Sequence, residues 1–207
     1  MRNVKVKICG ITSVEDAQAA MDMGTDILGF NFFPESPRYV TVDQAARIAT
    51  KLPAFIALAG VFVNSTREAI HEAMEACFLD WIQLHGDETP EFCQSFCKEA
   101  VKVMKAIRVK ESADIAGANA FPVHAILLDA FHPDRYGGTG DTFDWGLIAH
   151  TGKRVFLAGG INPDNVVEAL ELDMYGIDVC SGIESEPGKK DHEKMQALFN
   201  NIRHLRG

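Results

Sequence analysis

The chain has 207 residues, of which 47% are hydrophobic and 24% charged, and its formal net charge at pH 7 is −9. This composition is typical of a globular protein with enough apolar residues for one substantial core. The acidic balance excludes nucleic-acid binding by a broad basic surface, because no surplus of Lys and Arg is present to displace counterions from phosphates.

Short apolar, β-branched runs alternate along the chain with segments in which apolar residues recur every three or four positions. The runs predict eight strands, at residues 4–8, 26–32, 55–62, 81–84, 102–108, 125–129, 154–158 and 177–180. The segments predict helices at residues 14–23, 42–51, 67–77, 91–99, 112–118, 145–150, 165–172 and 192–205. Ser13, Thr41 and Asn162 are typical of helix starts.

Eight strand–helix units of about 26 residues each are typical of a small (β/α)8 TIM barrel. No linker or low-complexity segment interrupts the pattern, so we predict one barrel domain over residues 1–207. The alternative is an open, doubly wound sheet, which usually carries a glycine-rich fingerprint after its first strand. That turn here reads Cys9-Gly10-Ile11-Thr12, which favours the barrel.

Cys9 ends the first predicted strand, where a barrel places its active site. A thiol acts as a base or nucleophile only if its pKa is lowered, and otherwise Cys9 is a small buried hydrophobe. Strand alternation places Lys7 on the same side as Cys9, where an ammonium group would stabilise the thiolate. Alternatively, Lys7 pairs with Asp178 or Glu184 and has a structural role.

Three further candidates follow other strands. Asp129 comes directly after buried apolar residues, and burial favours a protonated carboxyl group that can act as a general acid. The alternative is an Asp that hydrogen-bonds loop backbone. Arg38, after the second strand, has a planar fork suited to a ligand carboxylate, although a solvated side chain is the ordinary alternative. His85 ends the fourth strand, and we expect it to line the pocket.

Gly159-Gly160 and Ser181-Gly182 follow the seventh and eighth strands, where barrels of this type bind phosphate. Glycines let backbone N–H groups approach an anion, and a short helix starting near Ser181 would add its positive end. The alternative is that these glycines only make tight turns. The pattern favours a phosphate site.

The loop at residues 131–145 is rich in glycine, which predicts a flexible lid. A nucleotide-binding loop is a weaker interpretation, since no Lys-Ser/Thr follows the glycines. The histidines show no metal-ligand spacing, so we expect no metal. The five cysteines show no framework spacing, which indicates reduced thiols in a cytoplasmic protein. No apolar run reaches membrane-spanning length, and we expect no membrane partner.

Several stretches together resemble the phosphoribosylanthranilate isomerases of tryptophan biosynthesis, in family order and over almost the whole chain. The stretches are residues 7–12, 36–38, 60–64, 83–86, 127–129, 137–140, 143–145, 159–166, 178–184 and 187–191. One departure is visible, because the family pattern has Ser-Ser-Gly where this chain has Cys180-Ser181-Gly182. Ser181 and Gly182 remain to contact a phosphate.

The resemblance implies a cofactor-independent Amadori rearrangement of a small phosphosugar, N-(5-phosphoribosyl)anthranilate, to 1-(2-carboxyphenylamino)-1-deoxyribulose 5-phosphate. The family's general base corresponds to Cys9 and its general acid to Asp129. Arg38 would bind the anthranilate carboxylate, Asp178 a sugar hydroxyl, and the last two loops the phosphate. A monomer is expected, because no uninterrupted apolar helix face stands out. The alternatives are a metal-dependent phosphosugar epimerase and a non-catalytic phosphate- or flavin-binding barrel.

Overall fold

Eight parallel strands close into a barrel in the computed structural model, which describes residues 4–130, 142–148, 152–172 and 174–205. The strands pair in sequence order and β1 closes the barrel against β8. They are β1 Lys5–Cys9, β2 Ile27–Asn31, β3 Ala57–Phe62, β4 Trp81–Leu84, β5 Lys102–Val109, β6 Ala125–Ala130, β7 Val155–Leu157 and β8 Gly176–Val179. The predicted barrel is confirmed.

Helices follow most of the strands and pack against the outside of the barrel. They are α1 Val14–Met23, α2 Val42–Ala49, α3 Arg67–Cys77, α4 Pro90–Phe96, α5 Ser112–Gly117, α6 Val166–Glu171 and α7 His192–Ile202. Short 3-10 helices lie at Ala118–Ala120, Trp145–Leu147 and Ser181–Ile183. No helix in the described part of the chain has the length and apolarity needed to cross a membrane.

The predicted helix starts agree with the structure at two of three positions. Ser13 caps α1 by accepting from the Asp16 N–H, and Thr41 caps α2 in a reciprocal capping box with Gln44. The third signal is three residues early, because α6 has Asn165 as its cap. Asn162 instead accepts the N–H groups of Asp164 and Asn165 and closes the turn before the helix.

The strands are apolar on both faces because each face is buried. Inside the barrel, one cluster fills the lower part around Trp81, Met104, Leu127 and Phe156. A larger cluster lies between the strands and the helices. With its lower half filled by apolar side chains, the barrel has room for polar groups only near the carboxyl ends of the strands.

Two parts of the chain differ from expectation. The helix predicted at residues 145–150 is wrong in its described part, residues 145–148, because a 3-10 turn forms at Trp145–Leu147 and Ile148 is already extended. A two-stranded antiparallel hairpin, β9 Glu184–Glu186 with β10 Lys189–Lys190, was not predicted. Its strands have three and two residues, too few to show alternation, and they turn through Gly188 at a φ of 84°.

Candidate active site

A cavity of about 430 Å³ opens at the carboxyl ends of the barrel strands. Eight of the ten predicted site residues line it, and these are Cys9, Arg38, His85, Asp129, Gly159, Gly160, Asp178 and Ser181. Lys7 and Gly182 are not among the lining residues. The fold therefore brings together groups that are more than 170 positions apart in sequence.

Cys9 lies above a buried ion pair inside the barrel. The ammonium group of Lys7, which is fully buried, donates to Asp178 Oδ1 at 2.8 Å, as the register of β1 and β8 requires. Burial alone would lower the pKa of Lys7, but Asp178 and Cys9 outweigh it and raise that pKa. Burial raises the pKa of Asp178 to about 7, and Lys7 offsets only part of this effect.

Gly29 on β2 makes room for this arrangement. A Cβ there would lie 3.0 Å from Cys9 Sγ and 3.1 Å from Lys7 Nζ, so both groups occupy the space that a side chain would need. Lys7 thus has both of the roles considered from sequence, since it pairs with Asp178 and also lies beside the thiol.

Cys180 is the second thiol in the cavity. Hydrogen bonding from Cys180, together with the ammonium group of Lys7, lowers the pKa of Cys9 well below its usual value against the opposing effect of burial. The same hydrogen bond and burial raise the pKa of Cys180. One sulfur of the pair is therefore stabilised as a thiolate and the other as a thiol.

Asp129 ends β6 on the opposite side of the cavity and is 5% exposed. Its Oδ1 accepts a hydrogen bond from the Ala130 N–H at 2.9 Å. Asp129 therefore also makes the loop-backbone hydrogen bond that was the alternative to an acid role in the sequence analysis. Its Oδ2 lies 3.2 Å from His85 Nε2, although the two atoms are not aligned as a hydrogen bond. Gln83 is 2.9 Å from His85 Nδ1 and orients the ring from below.

Arg38 is buried and held by Glu184. Its Nε and Nη2 donate to the Glu184 carboxylate at 2.7–3.1 Å. Burial opposes ionisation of Glu184, but Arg38 and Lys190 together hold its pKa below the usual value. Among the described residues Nη1 makes no hydrogen bond, so one edge of the guanidinium group remains available to a ligand.

The two glycine loops lie beside one another on the third side of the cavity. Gly159 and Gly160 have φ values of 82° and 63°, and in the described chain their N–H groups donate no hydrogen bond. Gly182 packs against the first loop so closely that a Cβ would lie 2.0 Å from Ile161 O. The helix expected near Ser181 is a single 3-10 turn, whose first N–H groups have no partner within the helix.

The sequence also predicts a lid over the site and no metal ion. Most of the predicted lid, residues 131–141, lies outside the described residues. Within residues 4–130, 142–148, 152–172 and 174–205, no three His, Cys, Asp or Glu side chains are grouped closely enough to hold a metal ion.

Sequence reasoning missed four residues that shape the site. Gln83 could have been found as the one polar residue in an apolar strand, and Gly29 as a glycine within a strand. Glu184 was considered only as a partner of Lys7. Lys190, whose Nζ donates to Glu184 Oε1 at 2.9 Å, lies on the hairpin that was not predicted.

A closed parallel barrel with titratable groups and glycine loops at the carboxyl ends of its strands defines the class of (β/α)8-barrel enzymes. Residues 6–201 match the family model of N-(5'-phosphoribosyl)anthranilate (PRA) isomerase. The chain belongs to this family, whose members are isomerases of tryptophan biosynthesis.

The similarity extends over nearly the whole chain. The N-(5'-phosphoribosyl)anthranilate isomerase of Magnetococcus marinus is 49% identical over 203 residues, which cover 97% of this chain and 95% of the relative. The solved structure of phosphoribosyl anthranilate isomerase from Thermus thermophilus has a TM-score of 0.90 and 37% identity, and covers 98% of this chain and 100% of that one.

Two other similar solved structures are informative, one for its bound ligand and one for its assembly. One is a phosphoribosyl anthranilate isomerase in complex with reduced 1-(o-carboxyphenylamino)-1-deoxyribulose 5-phosphate, with a TM-score of 0.83, 36% identity, and coverage of 98% of this chain and 100% of that one. The other contains monomers of the dimeric enzyme from Thermotoga maritima, with a TM-score of 0.86, 37% identity and the same coverages.

Proposed function

We propose that the cavity converts N-(5'-phosphoribosyl)anthranilate to 1-(2-carboxyphenylamino)-1-deoxyribulose 5-phosphate by an Amadori rearrangement, with Cys9 as general base and Asp129 as general acid. The observation that carries this proposal is that a thiol whose pKa is lowered and a buried carboxyl group line the same cavity from different strands. The family membership and the ligand of the related structure support the substrate.

The acid step takes place on the Asp129 side. A protonated Asp129 delivers its proton to the ribose ring oxygen, the C1–O bond breaks, and the nitrogen lone pair forms a C1=N Schiff-base cation. His85, which Gln83 orients, lies 3.2 Å from Asp129 Oδ2 and limits where the carboxyl group can move.

The base step takes place on the Cys9 side. The thiolate removes the proton from C2, the electrons of that bond form a C1=C2 double bond, and the Schiff-base cation is neutralised to an enolamine. Tautomerisation of the enolamine gives the ketone. Lys7 supports the step because its ammonium group stabilises the thiolate that must accept the proton.

Binding groups surround the reacting atoms. Arg38 Nη1 contacts the anthranilate carboxylate, and Asp178 accepts from a sugar hydroxyl. Backbone N–H groups of the two glycine loops bind the phosphate, and these belong to Gly159, Gly160, Ser181 and Gly182. The first two residues have the positive φ values that glycine favours, and the last two lie at the start of a helical turn, where N–H groups have no partner within the helix. Glu184 partly neutralises Arg38, so we propose that one guanidinium nitrogen, rather than a two-pronged fork, contacts the carboxylate.

Replacement of either proposed catalytic group tests the assignment. We expect Cys9→Ser and Asp129→Ala each to lower kcat by about 10²- to 10⁴-fold, the contribution of a positioned acid or base. The measurement is the loss of anthranilate-type fluorescence when protein is mixed with phosphoribosylanthranilate, with and without chelator.

Cys97→Ser and Asp22→Asn are matched controls, because neither residue lines the cavity. Cys97 is the C-cap of α4, and Asp22 lies on the exposed face of α1. Near-normal turnover in both Cys9→Ser and Asp129→Ala would contradict the assignment. Full loss of wild-type activity on chelation would favour the metal-dependent alternative instead.

The expectations of a cytoplasmic protein and of a monomer stay predictions. Phe55 is 86% exposed and Phe78 is 73% exposed, in the segments that lead into the neighbouring strands β3 and β4. Two separate exposed side chains are ordinary on a protein surface, because it is a large contiguous apolar patch that marks a contact surface, and they do not decide between a monomer and a dimer.

A further inference from the structure

Two thiols lie next to each other in a cavity that water can enter. Cys9 and Cys180 directly follow Ile8 and Val179, which are register partners on the adjacent strands β1 and β8. Adjacent strands lie about 4.8 Å apart, within the Cα separation of about 4.4–6.8 Å that disulfides usually span. Both side chains line the cavity, and Cys9 is 8% exposed.

The position of the Cys180 sulfur favours the same pairing. A Cβ on Gly10 would lie 3.0 Å from Cys180 Sγ, so this sulfur rests against the backbone that directly follows Cys9. Gly10 has a φ of 73°, a conformation that turns the chain and leaves this space open. The two thiols are also close enough to interact by a side-chain hydrogen bond, so a bond between the sulfurs joins groups that already lie next to each other.

The charges around the pair divide the roles of the two sulfurs. Lys7 lies beside Cys9, while Lys190 Nζ is 3.8 Å from Cys180 Sγ and Glu184 Oε1 is also 3.8 Å from that sulfur. Cys180 thus lies near the cations of Lys190 and Arg38 and near the carboxylate of Glu184, and its thiol also hydrogen-bonds to Cys9, which lies against the Lys7–Asp178 pair. The cysteines elsewhere differ, since burial raises the pKa of Cys77 and of Cys93 to about 11.

We propose that Cys9 and Cys180 form a peroxide-sensitive pair, in which hydrogen peroxide oxidises Cys9 and Cys180 resolves the product to a reversible disulfide inside the cavity. In the first step the Cys9 thiolate attacks one peroxide oxygen and the O–O bond breaks. The sulfur loses two electrons and becomes a sulfenic acid, and the departing hydroxide takes a proton from solvent to form water.

In the second step the Cys180 thiol loses its proton and attacks the Cys9 sulfur. The S–O bond breaks, and the departing hydroxide takes up the Cys180 proton as a second molecule of water. The net reaction consumes two thiols and one peroxide and gives one disulfide and two waters. A dithiol reductant reverses it by thiol–disulfide exchange.

The disulfide consumes the sulfur that we assign as the general base, so the oxidised protein is inactive until it is reduced. The loss of activity rests on the proposed function, whereas formation of the Cys9–Cys180 disulfide does not. The pair would protect the site, because a disulfide forms in place of the sulfinic acid, which thiols do not reduce.

The test treats the reduced full chain with hydrogen peroxide and measures its intact mass, its free thiols, its linked peptides and its turnover. We expect loss of two hydrogen atoms, a peptide linking Cys9 to Cys180, and a fall from five free thiols to three. Turnover should fall with the free thiols and return after dithiothreitol. The Cys97→Ser variant should gain the same link and lose and recover turnover in the same way.

The Cys180→Ser variant removes the resolving thiol and keeps the thiol that peroxide oxidises. Its turnover after oxidation is compared with its own turnover before oxidation. We expect Cys9 of this variant to be trapped as a sulfenic acid adduct when dimedone is present during oxidation. Without dimedone, excess peroxide should carry Cys9 on to the sulfinic acid, so turnover should not return after dithiothreitol. Oxygen addition to wild-type Cys9 without the link, a link between other cysteines, or no modification would each overturn the proposal. If the link forms and turnover persists, the pair stands and the role of Cys9 as base is contradicted.

Discussion

At the scale of single residues, the chemistry of the cavity depends on how a buried ion pair is arranged beside one sulfur. Lys7 is fully buried, and its charge is stable there because its ammonium group donates a hydrogen bond to Asp178 Oδ1 at 2.8 Å. The pair leaves the ammonium group beside Cys9, where Coulomb attraction is weakly screened. Without Lys7, a thiolate in the same place would have the hydrogen bond from Cys180 and the charge of Lys190 to set against its burial.

Removal of Lys7 tests this account. We expect Lys7→Met to raise the pKa of Cys9, so the pH at which Cys9 becomes reactive should move upward. The measurement is the rate of Cys9 alkylation by iodoacetamide as a function of pH, with the site of alkylation identified by mass spectrometry. In the wild type, Cys9 should react at a lower pH than Cys77 and Cys93, because burial raises the pKa of those two thiols to about 11.

Two further variants control for the charge change. Lys5→Met removes a cation from the same strand, and Lys5 pairs with Asp26 at 3.1 Å and not with groups of the cavity, so its alkylation profile should match the wild type. The double variant Lys7→Met with Asp178→Asn avoids leaving a buried carboxylate without its cation. An unchanged profile in both Lys7 variants would refute the role of Lys7.

At the scale of elements, the loops after β7 and β8 form one unit through backbone contact. Asn162 and Asn165 both donate to Gly160 O at 3.1 and 3.0 Å, and this fixes the first loop against the start of α6. Gly182 then packs on Ile161, so the two loops share one backbone surface. The hairpin β9–β10 adds Lys190, which together with Arg38 balances the charge of Glu184.

A methyl group at position 182 should disturb this surface. In Gly182→Ala the new Cβ would lie 2.0 Å from Ile161 O, so the loops must move apart. Loss of one hydrogen bond to a charged phosphate is worth about 1.5–3 kcal/mol, and we expect KM to rise by roughly 10- to 100-fold with a smaller change in kcat. Steady-state kinetics with phosphoribosylanthranilate measures both constants.

Gly117→Ala is the matched control, because a Cβ there meets nothing within 4 Å. Its kinetics should equal those of the wild type. If Gly182→Ala also left KM unchanged while remaining folded, the two loops would not form the phosphate site.

At the scale of the whole molecule, the stability of the barrel is linked to the protonation of its interior. The pKa of Asp178 is about 7 in the folded chain and near 3.8 when unfolded, so between these values the folded state binds more protons. The contribution of this group to the free energy of unfolding is therefore largest at low pH and decreases as the pH rises from about 4 to about 7.

A variant without this carboxyl group makes the effect measurable. In urea unfolding from pH 4 to pH 7, we expect the wild type to lose stability relative to Asp178→Asn by up to about 4 kcal/mol, the equivalent of the difference between the two pKa values. A difference between the two proteins that stays constant over this pH range would contradict the linkage.

Much of the fold was predictable because its signals are local. Runs of β-branched residues such as those in β6, and caps such as Ser13 and Thr41, depend on neighbours within a few positions. The helix expected at residues 145–150 did not form, since an apolar spacing in a short segment does not separate a helix from a turn. The hairpin β9–β10 escaped prediction because strands of two and three residues carry no periodicity.

The sequence by itself determined which residue types stand at the ends of the strands, and so it identified Cys9, Asp129 and the glycine loops as candidates. Only the tertiary structure decided which of these groups meet. It paired Lys7 with Asp178 rather than with Glu184, gave Glu184 to Arg38, and brought Cys180 against Cys9. The physical reason is that these contacts depend on closure of the barrel between β1 and β8, which brings together residues 146 to 171 positions apart in sequence.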